Sequence, residues 1–165
     1  MPKLVLVSGS INSGKSTVSR YLVELLPRAA HVQGDALRHF VTWLPLEEAI
    51  PITLSNITVV ANTFLAAGLD VVIDYPLYKP SYEKLCAALS QTATSVHPFV
   101  LAPPLEVAQR RRGDRVLSQR EVDRIGFHYR TNLHDPGFGI RIDNSGQTPL
   151  ETAEVILRHL GLPNR

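Results

Sequence analysis

Short runs of aliphatic and β-branched residues alternate along the chain with longer stretches in which apolar side chains recur every three or four positions. That is the pattern of an α/β fold whose parallel strands are joined by helices. Leu4-Val5-Leu6-Val7 reads as a buried first strand. A helix follows from about Gly14, burying Val18, Leu22, Leu25 and Leu26 on one face until Pro27 stops it. His31-Val32-Gln33 is a short second strand ending at Gly34-Asp35, and helices over 36–43 and 47–67 come next, with Pro51 expected to bend or break the second. Residues 71–74 form the third strand and 80–89 a further helix. The fourth strand, 96–101, contains Pro98, which weakens it or places it near an edge. Helices over 103–111 and 118–132, a short strand over 139–142 and a closing helix over 148–160 complete the pattern. In the closing helix Thr148 suits the N-cap, Pro149 the first helical position and Glu151 the reciprocal cap three residues on.

With 165 residues, one domain over 1–165 is expected, and neither a linker nor an internal repeat interrupts it. A formal charge of +2 is too small to imply a nucleic-acid or membrane partner. The charge is unevenly spread, because seven of the thirteen arginines fall between Arg110 and Arg130. Cys86 is the only cysteine, which excludes an intrachain disulfide and a cysteine-based zinc site. The five apolar residues before Ser8 are too few for a secretory core, and the stretch 57–73 is interrupted by Asn62, Gly68 and Asp70. A reducing cytoplasm and no membrane partner are therefore expected.

Gly9-Ser10-Ile11-Asn12-Ser13-Gly14-Lys15-Ser16 matches G-x-x-x-x-G-K-[ST], with an apolar strand running into it and an amphipathic helix leaving it. The glycines let the loop wrap so that backbone N–H groups point at a phosphate. The helix N-terminus adds partial positive charge, and Lys15 a full one, near the β- and γ-oxygens of a nucleotide. Ser16 is placed to put its hydroxyl on magnesium, and Thr17 to contact the α-phosphate. Gly9, Ser10, Asn12, Ser13, Gly14, Lys15, Ser16 and Thr17 are thus candidate ligands of ATP, with Mg2+ beside them.

Asp35 begins where the second strand ends, on the same sheet edge as this loop, and can orient an acceptor hydroxyl and take its proton. The same position also suits a helix N-cap. Arg38, one turn on, can pair with Asp35 or with substrate. Asp74 ends the third strand, where an acidic residue can approach magnesium; the alternative is a carboxylate facing solvent before the Tyr75-Pro76 turn. The arginine block at 110–115 is either a solvated basic face or a lid over the transferring phosphoryl group, with Arg115 preferred and Arg111 as support. Asn144 and Gln147, after the last strand, can line an adenine pocket or simply form a polar turn.

Together these segments resemble the small-molecule P-loop kinases, most closely the chloramphenicol phosphotransferase-like proteins and the neighbouring shikimate-kinase-like group. The resemblance rests on residues 9–16, Gly34-Asp35, Arg112-Gly113-Asp114-Arg115 and the Ile142-Asp143 strand end with its acidic closing helix. It implies a five-stranded parallel sheet in the order 2-3-1-4-5 with helices on both faces, Asp35 as the base that activates the acceptor, and the arginine segment, about 110–118, as the lid. The function implied is transfer of the γ-phosphate of ATP to a hydroxyl of a small molecule.

The Asp-x-x-Arg spacing at 35–38 is also similar to that of 5′-hydroxyl polynucleotide kinases and adenylylsulfate kinases, so a polynucleotide or nucleoside kinase is the alternative. Against a nucleic-acid acceptor, residues 37–62 hold a single arginine and two glutamates. A nucleotide-binding ATPase or switch without an acceptor is the rival of another class. The chain has neither the Asn-Lys-x-Asp of guanine recognition nor the Leu-Ser-Gly-Gly-Gln of transporter ATPases.

Overall fold

The structure, a computed structural model, describes residues 2–90, 92–93, 95–110 and 114–162. Strands β1 (Lys3–Gly9), β2 (Ala29–Gln33), β3 (Asp70–Asp74), β4 (Ser95–Leu101) and β5 (Ile140–Ile142) pair in parallel in the order β2-β3-β1-β4-β5, as expected. Helices α1 (Lys15–Leu25), α2 (Gly34–Arg38), α3 (Leu46–Ala66), α4 (Lys79–Leu89), α5 (Leu105–Ala108), α6 (Gln119–Arg130) and α7 (Pro149–His159) connect or flank them.

Side chains alternate across a strand, so β1 feeds two cores. Leu4 and Leu6 join Val71 and Ile73 under α3 and α4, while Val5 and Val7 join Val72 and Phe99 under α1 and α7. Covering both faces explains why the strand sequences are continuously apolar rather than alternating. Because all strands run the same way, Gly9, Gln33, Asp74, Leu101 and Ile142 end at one edge of the sheet. Candidate chemistry from separate parts of the sequence is gathered there.

Three local expectations change. Pro51 neither breaks α3 nor divides it. The donor it removes would have reached the carbonyl of Glu47, and both residues are exposed, so water can serve that oxygen. The helix expected over 103–111 is only the four residues of α5, with Pro104 before it and a turn after it. Pro98 lies within an interior strand, yet β5 begins opposite Phe99, so the proline sits just before β5 takes up its pairing. There Gly139 comes so close that a Cβ on it would stand 2.8 Å from the Pro98 carbonyl oxygen. The proline therefore occupies a local edge inside the sheet.

Among the described residues, α3 is the one helix long and apolar enough to cross a membrane. Thr53, Leu54, Ile57, Ala61 and Leu65 recur along it at helical spacing and are buried, and most of them belong to the core over the sheet. The helix cap expected at Thr148 forms, and α6 carries a second one that was not expected. Thr148 and Glu151 cap α7 reciprocally, and Ser118 and Glu121 cap α6 in the same way.

Candidate active site

The phosphate loop leaves β1 through Gly9, whose φ of 142° favours glycine. A Cβ there would also stand 2.5 Å from the Leu101 carbonyl oxygen of the neighbouring strand. Asn12 and Gly14 take positive φ values of 60° and 95°, which turn the chain back toward α1. The side chain of Lys15 folds over the loop, and its Nζ donates to the Ser10 carbonyl at 2.7 Å. Burial lowers the Lys15 pKa, the carboxylates of Asp35 and Asp74 draw it back up, and Arg115 pushes it down. Asp35, Asp74 and Arg115, which come from two strand ends and the arginine segment, therefore all act on the loop lysine.

Asp74 is buried, at 4% exposure, which overturns the alternative of a solvent-facing carboxylate. Register explains its position: β1 and β3 align Val7 with Asp74, so the carboxylate stands beside the strand end that opens the loop. Ser16 Oγ donates to Asp74 Oδ2, and His31 Nε2 lies 3.0 Å from Oδ1. A hydroxyl and a carboxylate side by side are oxygen ligands of the kind a hard divalent cation takes. Among the described residues no cluster of three His, Cys, Asp or Glu could supply a closed metal cage.

Asp35 is not the cap of α2. Gln33 holds that position, no side chain caps the helix, and Asp35 occupies its first turn with its side chain exposed. Gly34, which precedes it, is pressed against β3's exit: a Cβ there would stand 2.3 Å from the Tyr75 ring. The Tyr75 phenol is pushed up to about 12 by burial and then by Asp35, while Arg38 and a hydrogen bond with Thr53 oppose the shift. Asp35, Arg38, Tyr75 and Thr53 thus border one polar cluster beside the loop. Arg38 Nε is buried there without an acceptor. Ser13 Oγ in the loop is another buried polar atom without a partner.

The remaining expected ligands are arranged differently from expectation. The amide of Asn12 donates to the carbonyls of Ala108 and Arg110, at 2.8 and 2.9 Å, and so ties the loop to the start of the arginine segment. Asn144 is buried after β5 and donates to the Ser13 carbonyl at 3.0 Å, supporting the loop from behind. Gln147 accepts from Thr152 at 3.0 Å and is turned toward α7, so its amide serves the polar-turn alternative. Thr17 is exposed in the first turn of α1. Arg115 Nη2 donates to Glu121 Oε1 at 2.6 Å. Arg111, expected to support it, lies with Arg112 and Gly113 outside the described residues.

Three residues at the site drew no chemistry from the sequence: His31, Tyr75 and His128. His128 Nδ1 lies 3.1 Å from Ser10 Oγ, with both residues buried. Burial, then Arg124, then Lys15 hold its pKa down at about 4. The one sequence signal for it is spacing, since it follows Ile125 by three residues and shares that residue's buried face of α6.

A left-handed loop closed by a buried lysine, at the carboxyl edge of a parallel sheet ordered 2-3-1-4-5, defines the P-loop kinase fold. The chain belongs to the AAA domain family, whose match covers residues 4–128. Among curated proteins none matches it in sequence. The tunicamycin resistance protein of Deinococcus radiodurans is similar in structure, with 22% identity, a TM-score of 0.64, and 99% of this chain and 98% of that one covered. The APS kinase of Mycobacterium tuberculosis, in complex with AMPPNP and APS, gives 18% identity and a TM-score of 0.71 over 97% of this chain and 98% of that one. Shikimate kinase from Acinetobacter baumannii, in complex with shikimate, gives 18% and 0.63 over 97% and 93%. At these identities the likeness establishes the fold.

Proposed function

We propose that the protein is an ATP- and magnesium-dependent phosphotransferase that moves the γ-phosphate of ATP to a hydroxyl of a small molecule. The observation that carries this reading is that two carboxylates meet at the sheet edge holding the buried Lys15: Asp35 in the first turn of α2 and Asp74, buried at the end of β3. A nucleotide switch needs only the second carboxylate; the first, on the far strand end, has a purpose if an alcohol enters between them. The fold and the AMPPNP-bound state of the similar APS kinase support ATP as the donor.

In this mechanism the loop amides and Lys15 hold the β- and γ-phosphates, and Lys15 exchanges the Ser10 carbonyl for a phosphate oxygen. Ser13 Oγ, a buried donor without a partner, suits the same anion. Ser16 and Asp74 would hold magnesium, which supplies charge neutralisation on the β- and γ-oxygens. The acceptor oxygen forms a bond to the γ-phosphorus as the bridging β,γ P–O bond breaks, its proton passes to Asp35, and ADP leaves with the electron pair. An ordinary aspartate suffices, since the transition state is loose. Arg38, with its unpaired Nε, orients the acceptor, and Arg115 spreads the transferring charge. The chemistry requires only a soluble setting, and the cytoplasm suits it.

The test is an ATP-consumption screen over small hydroxylated compounds that also contains mononucleosides and a 5′-hydroxyl oligonucleotide. A small alcohol that drives ADP release, with kcat lowered about 10²-fold or more by Asp35→Asn and ATP affinity retained, supports the reading. Turnover driven only by the oligonucleotide would move the acceptor to nucleic-acid ends. Acceptor-independent turnover that Asp35→Asn leaves unchanged would make the protein an ATPase.

A further inference from the structure

The bonds around the arginine segment form a closed circuit. The loop side chain of Asn12 holds Ala108 and Arg110 at the start of the segment. Its far end is held by α6, where Glu121 accepts from Arg115 and, through the cap, from the backbone and hydroxyl of Ser118. Gln109 also reaches α6, donating to the Val122 carbonyl at 3.3 Å. The circuit returns to the phosphate loop through His128, on Ser10.

Glu121 and His128 are seven residues apart. On a helix that is two turns, so both lie on nearly the same face, about 10 Å apart along the axis. One face of α6 therefore holds the lid arginine at one end and the phosphate loop at the other. Ser10 is also the residue whose carbonyl takes the Lys15 ammonium, so the joint lies where the lysine must move when a phosphate arrives.

We propose that His128 is a positioning residue: through the Ser10 hydroxyl it pins α6 to the phosphate loop, and α6 in turn sets where Arg115 stands relative to the transferring phosphate. The proposal rests on the phosphotransferase reading for Arg115 and adds a part to it. His128 touches neither acceptor nor donor in this scheme; it acts through Ser10 and α6. Its imidazole does so as a neutral group, because burial, then Arg124 from α6 and Lys15 from α1, oppose a positive charge there.

Two variants separate pinning from packing. His128→Leu removes the polar atom, whereas His128→Asn restores one near the position of Nδ1. With ADP as the probe, deuterium uptake at residues 114–122 should fall on nucleotide binding in the wild type and in His128→Asn. In His128→Leu it should not fall, although calorimetry shows ADP affinity within about 3-fold of wild type. In ATP turnover, His128→Leu should lower kcat about 10- to 100-fold, His128→Asn should recover most of it, and His128→Leu should cost little more in an Arg115→Ala background.

ADP-induced protection that persists in His128→Leu would overturn the proposal, as would a turnover loss that Asn does not restore or that adds fully to Arg115→Ala. If the wild type turns over no ATP with any acceptor, the phosphotransferase reading fails, while the exchange measurement still decides whether His128 joins loop and lid. ADP that fails to bind at all would sink both.

Discussion

His128 should make the protein lose stability in mild acid, and the size of that loss can be worked out. The imidazole has an ordinary pKa of 6.5, and in the folded chain it is held down at about 4, chiefly by burial and then by Arg124 and Lys15. Between these values the unfolded chain binds a proton that the folded chain does not. Stability therefore falls as pH drops through 6.5 and levels off below about 4. Going from about pH 7.5 to about pH 5, this group alone should cost about 2 kcal/mol. That window suits the measurement. Glu121, held at about 2 by the Ser118 backbone, Arg115 and the Ser118 side chain, loses its contribution only as pH falls from its ordinary 4.5 toward 2. His97, also lowered by burial, is present in wild type and variant alike and cancels from their difference. The assay is urea unfolding of wild type and His128→Asn at the two pH values. The wild type should lose about 2 kcal/mol more than the variant over the interval. Equal losses would mean that the imidazole titrates as freely folded as unfolded, and that its burial against Ser10 carries no such cost.

Gly9→Ala should lower stability by about 2–4 kcal/mol, because a Cβ 2.5 Å from the Leu101 carbonyl must push two paired strands apart; an unchanged urea midpoint would refute the clash. Glu121→Gln leaves the exposed fold within about 1 kcal/mol but releases the Arg115 guanidinium. Its kcat for ATP turnover should therefore drop about 10-fold with KM nearly unchanged, and a pure KM effect would remove Arg115 from the transfer step. Asp74→Asn weakens the oxygen pair formed with Ser16, so half-maximal turnover should need about 10-fold more magnesium. An unchanged magnesium titration would leave Asp74 with a structural role.

How far the chain can be read without its structure depends on the range of the interaction concerned. The sheet, its two covered faces and the loop of 9–16 follow from patterns only a few residues long. Apolar runs make strands, helical spacing makes helices, and a glycine at each end of the loop lets the backbone turn. The caps at Ser118 and Thr148 are equally local, each decided by a hydroxyl and a carboxylate three residues apart. The assignment of Asp35 to the loop's edge belongs to the same class, since parallel strands must end together.

What did not follow from the sequence was the direction in which the amides and imidazoles turn. Asn12 was read as a nucleotide ligand because it lies in the phosphate loop, and Asn144 as lining an adenine pocket or forming a polar turn after the last strand. Their amides instead grip backbone carbonyls across 96 and 131 residues of sequence. His128 reaches the loop across 118 residues, a pairing that no spacing rule can supply. Yet the physical need for such partners was present in the motif. A loop that turns its N–H groups inward toward a phosphate must direct its carbonyls and side-chain hydroxyls elsewhere, and a buried carbonyl without a donor costs about 1–3 kcal/mol. The carbonyls of Ser10 and Ser13 are met by Lys15 and Asn144, and the Ser10 hydroxyl by His128. The glycine-rich motif thus specifies the inner surface of the cradle, and the distant polar residues specify its outer surface. Single polar residues on otherwise apolar faces, such as His128 beside Ile125, are where that outer shell should be sought in a chain with this loop.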